Sequence, residues 1–378
     1  MNSEMLQQFL TSAQAALLVA WQFSIQYPKE IGISLVAIYF GVKIALGVLR
    51  YLYMIFIVSR KMVHFRITMP REESQKDREK AEEKDFKEKI AIMEQFYRNI
   101  HEISELSLPN TIYTSLFKAD IISLELVAQN NVVEFYVATQ KRYQDLVEKQ
   151  ITSYYPNADI TIEKAYNIDP KGNRIKCYYA YQKAPFYFPI KTFKNLENDP
   201  LNDLTNIFSK LGEKELGAIQ VVIRPQKSKK YQKATEAAGM AMFSGKKPNK
   251  IRIPGLGILN NLFVGLLFGA EKISKETSSE NSGPYGGGGY VRMLQTREEI
   301  AKRIGEKAGQ LDFDVVIRVM GSSQTRARAG EITNNIALGL NLFKDAQMNW
   351  FQTRRVIPID TINNMIMKFN FNKRLMDC

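Results

Sequence analysis

The residues best equipped for chemistry are a run of cations. Between Arg224 and Arg252 nine Lys or Arg (224, 227, 229, 230, 233, 246, 247, 250 and 252) face one acid, Glu236, which puts +8 of the chain's net +13 in that segment. Such density attracts anionic lipid headgroups and nucleic-acid phosphates by the same electrostatics. Stacking on single-stranded nucleic acid also needs interleaved aromatics, and the segment offers only Tyr231 and Phe243. Lipid is therefore the more economical partner for Lys227, Lys229, Lys230, Lys233, Lys246, Lys247, Lys250 and Arg252. Nucleic acid and a merely solvated loop are the alternatives.

Bond-making chemistry finds less to work with. The only imidazoles are His64 and His101, and the only thiols are Cys177 and Cys378, without the spacing of a zinc site. Gly239 to Lys247 (GMAMFSGKK) imitates a phosphate-binding loop, but five residues separate its glycines and Lys247 stands where Ser or Thr must meet magnesium. No nucleophile-base-acid set, dinucleotide fingerprint or carboxylate pair can be assembled. No catalytic residue, metal or cofactor is expected, and contact is the better reading than catalysis.

The cations must be positioned by something, and the strongest positioning element is apolar. Ile31 to Val58 (IGISLVAIYFGVKIALGVLRYLYMIFIV) is followed by Arg60, Lys61, His64, Arg66 and Arg71. As a helix this run is about 42 Å long, more than the ~30 Å hydrocarbon core. Basic flanks stay inside, so the bulk of the chain is expected in the cytoplasm. Lys43 and Arg50 interrupt the run seven residues apart, on one helix face. Arg50 is placed to snorkel, whereas Lys43 either reaches headgroups or faces a neighbouring helix. Residues 6–25 form an amphipathic surface helix or the first arm of a helical hairpin. No basic n-region precedes them, which argues against a signal peptide.

A second apolar run, Ile253 to Ala270 (IPGLGILNNLFVGLLFGA), is too short and too interrupted by Asn260 and Asn261 to span. Between flanking cations it reads as an element returning to the inner leaflet through Leu262, Phe263, Leu266, Leu267 and Phe268, or as a buried helix. A Gly-rich linker, Ser278 to Gly289, follows it.

Periodicity divides the rest. A charged helical stalk is expected over 59–85, passing into a stripe of Phe86, Ile90, Met93, Tyr97 and Ile100 that docks on a domain. The strands SLELVA (Ser123–Ala128) and VVEFYVAT (Val132–Thr139) suit a tight hairpin. A helix over 142–154 and strands over 158–164 and 174–182 complete a first α+β domain, 86–195. A second, 196–378, carries an insertion at 225–290. In it Val-Val-Ile-Arg recurs in AIQVVIRP (Ala218–Pro225) and DFDVVIRV (Asp312–Val319), an echo that suggests two neighbouring strands of one sheet. A helix over 296–310, a strand Phe313–Met320, a turn at Gly321–Ser323, a helix over 325–343 with its ladder Ile332, Ile336, Leu340 and Phe343, and a closing edge strand from Asn349–Phe351 and Arg354–Ile359 end the pattern. The fold class is α+β: an N-terminal transmembrane helix, then two small cytoplasmic sandwich domains with antiparallel or mixed sheets.

Phe313 to Phe351 (FDVVIRVMGSSQTRARAGEITNNIALGLNLFKDAQMNWF) resembles the segment preceding the motor domain in conjugative-transfer ATPases of the type IV secretion class, above all membrane-anchored forms from candidate-phylum bacteria. HFRITMPRE (His64–Glu72), SLELVAQNNVVEFYVAT and RYQDLVEKQITSYYPNADI (Arg142–Ile160) follow the same order, so the likeness runs from about Arg60 to Phe351. It implies a bacterial inner-membrane location and an ATPase or further copies of the chain as partners. Because the chain stops at Cys378, where such proteins continue into a nucleotide-binding domain, no activity is carried over. The expectation is a non-enzymatic scaffold or accessory subunit of a secretion or DNA-transfer apparatus. The alternative is a membrane-tethered nucleic-acid binder using 224–252.

Overall fold

A computed structural model describes residues 28–68, 84–103, 120–130, 132–168, 172–196, 199–226, 229–244 and 295–376. The expectations for 6–25, 253–270 and 278–289 lie outside them. The chain divides into two compact units, the first holding the N-terminal helix and the second everything described from Met62 onward.

In the first unit α1 (Pro28–Tyr53) continues through an underwound π turn, Met54–Val58, and a short 3-10 turn, Ser59–Lys61. Ala37 to Lys61 is long and apolar enough to cross a membrane, with a mean hydropathy of 1.8.

In the second unit eight strands form one antiparallel sheet in the order β4-β1-β3-β2-β6-β7-β5-β8. They are β1 (Met62–Thr68), β2 (Ile122–Gln129), β3 (Val132–Gln140), β4 (Asp159–Glu163), β5 (Arg174–Gln182), β6 (Leu216–Pro225), β7 (Phe313–Ser323) and β8 (Phe351–Arg354). The helices are α2 (Lys84–Ile103), α3 (Gln144–Tyr154), α4 (Pro200–Phe208), α5 (Lys230–Phe243), α6 (Gln295–Ala308), α7 (Arg326–Gly339) and α8 (Asp360–Lys373). The strand order is a mirror: β1-α2-β2-β3-α3-β4 and β5-α4-β6-β7-α7-β8 each follow the split βαβ plan, with the third strand between the first two. The two plans meet at β2 and β6, paired in register from Ile122↔Ile223 to Gln129↔Leu216. The halves expected as separate sandwiches thus share one sheet. β5, assigned to the first of them, lies between β7 and β8 of the second. Met62–Thr68, read as part of a helical stalk, is strand β1.

Alternation decides the faces. One side carries Phe65, Ile122, Val137 and Ile223 beneath Phe96 and Ile100 of α2 and Val147 and Ile151 of α3. On the same side Leu126, Ile219 and Val319 lie beneath Phe208 of α4 and Ile332 and Ile336 of α7. Asp199 and Thr325 cap α4 and α7, accepting the N–H of Leu201 and Arg328 at 2.9 and 3.3 Å. Gly321 lets α7 lie directly on β7, since a Cβ there would come within 2.6 Å of the Ala329 carbonyl oxygen. The other side holds Val127, Cys177, Ala218 and Met320 beneath Met367 and Phe371 of α8. The echo strands β6 and β7 are neighbours, with Val222 opposite Val316.

One register row on that second side crosses every strand and is polar throughout: Thr161, Arg66, Tyr136, Glu125, Gln220, Arg318, Tyr179 and Arg354. Its centre is buried at the seam between the repeats. Arg374, just past α8 and in left-handed backbone with φ 52, donates to Glu125 from Nε at 2.9 Å and Nη2 at 3.0 Å. Ser123 and Gln220 donate to the same carboxylate at 2.6 and 3.0 Å. From the other repeat, Arg318 donates to Gln220 at 2.9 Å and also to the Leu375 carbonyl. Burial by itself would raise the Glu125 carboxyl, but the Arg374 charge and these hydrogen bonds hold it below its ordinary range.

Removing one member of a buried pair leaves the other unpaired at a cost of about 3–5 kcal/mol, while a packed apolar pair can replace both. Arg374→Ala is therefore expected to lower the urea midpoint strongly, and Glu125→Leu with Arg374→Met to recover most of the loss, both read by tryptophan fluorescence of the full chain. His64 lies close to this network. Burial, then the Arg374 charge, lower it from 6.5 to about 4, and its Nε2 is buried with no hydrogen-bond partner among the described residues. Folded His64 stays neutral where the unfolded residue takes up a proton, so stability is full above pH 6.5 and declines as pH falls toward about 4. His64→Asn should flatten the midpoint across that window; an unchanged slope would show that other groups carry it.

Candidate membrane-facing site

β1 begins at Met62, immediately after the helical run that ends at Lys61. Pairing places the start of β1 at one end of the sheet with the end of β3 (Gln140), the start of β2, the end of β6 (Pro225) and the start of β7 (Phe313). The start of β8 (Phe351) and the end of β5 (Gln182) share that end. Residues 226–312, which replace the tight hairpin turn of the first repeat, leave and return there. The insertion therefore belongs to the end of the sheet where β1 starts.

Within the insertion α5 packs on α6 through small residues. Gly239 sits against Ile304, Ala301 and Gly305, with a Cβ there 3.4 Å from Ile304. The pair rests on the loop after β5, where Tyr187 joins Ala238 and Ile304 in one apolar cluster and Phe186 meets Tyr231 edge to face at 5.2 Å. Lys307 reaches the Phe186 carbonyl, and Gln232 donates to the Gln310 carbonyl at 2.8 Å. Burial pushes the Lys307 ammonium down, opposed by Asp312, and pushes the Asp312 carboxyl up, opposed by Lys307. These groups fix α5 to the sheet end.

The outer face of α5 is divided lengthwise. Lys229, Lys230 and Lys233 are exposed at its start, and Met240 and Phe243 are 62% and 66% exposed near its end. An open groove of about 940 Å³ runs beside them between α5 and α6, lined by Gly239, Ala301, Gly305 and Ala308 and by the charged Glu236, Glu298 and Lys302. Cations followed by exposed apolar side chains on one helix face match the chemistry of a headgroup layer. Arg224 is drawn out of this set by Asp314, to which it donates at 3.1 and 2.5 Å. Lys227, Lys246, Lys247, Lys250 and Arg252, and the apolar Leu262, Phe263, Leu266, Leu267 and Phe268, lie outside the described residues. In α1, Lys43 is exposed with its Nζ 5.6 Å from the centroid of its own Tyr39 ring, and Arg50 is half-buried in the last turn.

Sequence reasoning missed Met240 and took Phe243 only as one of two aromatics in the basic segment, because the phosphate-loop imitation at 239–247 drew attention to the glycines and lysines. The helical period of Lys233, Met240 and Phe243 was the available signal. Among the described residues no group of three or more His, Cys, Asp or Glu is arranged to hold a metal.

No curated protein matches the chain. Residues 72–372, which contain β2 to β8 and the insertion, match a family described as a domain of unknown function, DUF8128, and the chain belongs to that family.

Proposed function

We propose that this protein is a non-enzymatic scaffold held at the bacterial inner membrane, its body in the cytoplasm, serving a type IV secretion-like or DNA-transfer apparatus by recruiting an ATPase or further copies of itself. The observation that carries the reading is the coincidence of the chain's entry from the apolar helix with the basic and apolar insertion at one end of the sheet. A body tied down at that end keeps the opposite end free for partners. The sequence resemblance supplies the kind of apparatus.

Isolation of the full chain from native membranes in mild detergent is expected to yield an assembly with several copies of the chain or with an ATPase. A monomer with neither contradicts the scaffold. A membrane-tethered nucleic-acid binder is the competing reading, favoured by exposed Lys229, Lys230 and Lys233. Duplex DNA affinity that falls steeply with salt and with charge reversal at these lysines would support it. Equal binding to vesicles of anionic phosphatidylglycerol and to DNA would instead favour lipid.

A further inference from the structure

α8 is apolar on two opposite sides. Its inner face buries Asn363 and Asn370 beside Met367 and Phe371, the first of these held by hydrogen bonds to the Cys177 carbonyl at 3.1 Å and the Val356 N–H at 2.7 Å. Its outer face shows Ile362 39%, Met365 65% and Phe369 38% exposed, continued by Ile359 at 57%. Ile362, Met365 and Phe369 fall within one narrow arc of the helix, nearly opposite the buried side. An apolar stripe turned outward on a helix whose inner side is already packed, through Met367 and Phe371, marks an interaction surface.

The stripe has a charged border of one sign. β5 and the stretch Arg354–Lys373 contain six Lys or Arg (174, 176, 354, 355, 368 and 373) and one acid, Asp360. That carboxylate is already shared by Lys176 at 2.5 Å, Arg326 at 2.7 Å and Arg355 at 2.9 Å. Beside it an open depression of about 530 Å³ is lined by Arg174, Arg326 and Lys368 together with Met365, Asn173 and Asn364. This depression adjoins the start of β5, at the end of the sheet opposite the start of β1. The eleven residues of β7 put roughly 35 Å between the two ends. Under the proposed function the membrane belongs to the end where β1 starts, and nucleic-acid phosphates would leave the Ile, Met and Phe stripe unused.

We infer that the outer face of α8 and the cationic depression beside it dock an acidic amphipathic segment of a partner protein, apolar side chains on the stripe and carboxylates toward Arg174, Arg326 and Lys368. This rests on the scaffold reading and gives the partner's chemistry.

Benzoyl-phenylalanine is placed at Met365 or at Phe369 of the full chain in the cells that encode it, with Leu338, also exposed, as the control site. Irradiation should give an adduct at both stripe positions and none at Leu338. The cross-linked stretch, mapped by mass spectrometry, should be acidic and apolar. Arg174→Glu with Lys368→Glu should lower the yield at Phe369 about tenfold, through like-charge repulsion at the rim. Met365→Asp, which leaves the cations in place, should lower it too, and unchanged urea midpoints would show that all variants fold. An adduct with phospholipid or with a second copy of this chain, a basic cross-linked stretch, a yield indifferent to charge reversal, or no adduct overturns the inference. Sedimentation of the same cells separates the two ideas: chain in the membrane fraction without an adduct defeats only the docking surface, and chain in the soluble fraction defeats the membrane reading.

Discussion

The Glu125–Arg374 pair at the seam is the constraint around which the rest of the body is arranged. Burying a carboxylate there is tolerable only because four hydrogen bonds meet it: two from Arg374, one from Ser123 and one from Gln220. The donors come from β2, from β6 of the other repeat and from the residue that ends α8. Gln220 also donates to the Phe371 carbonyl at 3.0 Å, and Arg318 to that of Leu375. The tail of the chain therefore stitches the two split βαβ units together and fixes α8 across the sheet. On the inner side Asn363 is held by the Cys177 carbonyl and the Val356 N–H while Met367 and Phe371 fill the apolar cluster beneath, so the second apolar side of α8 is left turned outward.

The two repeats differ most at the hairpin between their second and third strands. In the first, Asn130 takes left-handed backbone with φ 51 and the chain turns at once, as the asparagines of 129–131 allow. In the second the same position opens into α5, α6 and the chain between them. Because β1 and this insertion share a sheet end, the body has two unlike ends. One end is basic and apolar on α5. The other is basic and apolar on α8, around a single shared carboxylate.

Elements with a clean period were legible in the sequence. The anchor run, the β2–β3 hairpin, β5, α6, β7 and α7 lie within a few residues of where alternation and helical ladders put them, and Ile332, Ile336 and Leu340 are buried as their spacing implies. β1 was lost because MVHFRIT follows a basic flank and precedes a charged run, so its alternation looked like stalk. α8 was lost because its apolar residues lie on two opposite sides, which erases the one-sided pattern that marks a surface helix. The seam could not be read at all: Glu125 and Arg374 are 249 positions apart, and nothing local distinguishes this Arg from an exposed one. The Val-Val-Ile-Arg echo identified sheet neighbours, yet its two arginines have different fates. Arg224 pairs with Asp314 at the sheet end, and Arg318 is buried against Gln220. The true repeat equates β3 with β7, whose residues share a pattern of burial and little identity.

The candidate site was legible in kind, as cations next to apolar residues, and illegible in place, because only the pairing of strands brings the insertion to the end where the chain enters from α1. That placement is the central claim. It is tested most directly by the depth of two spin labels in the full chain reconstituted into vesicles containing phosphatidylglycerol, with Cys177 and Cys378 replaced. A label at Lys233 on α5 should collide with oxygen and nickel as headgroup-level sites do, and a label at Met365 on α8 should behave as fully aqueous. An aqueous Lys233, or a Met365 at headgroup depth, would contradict the proposal that the body is held to the membrane by the end where β1 starts.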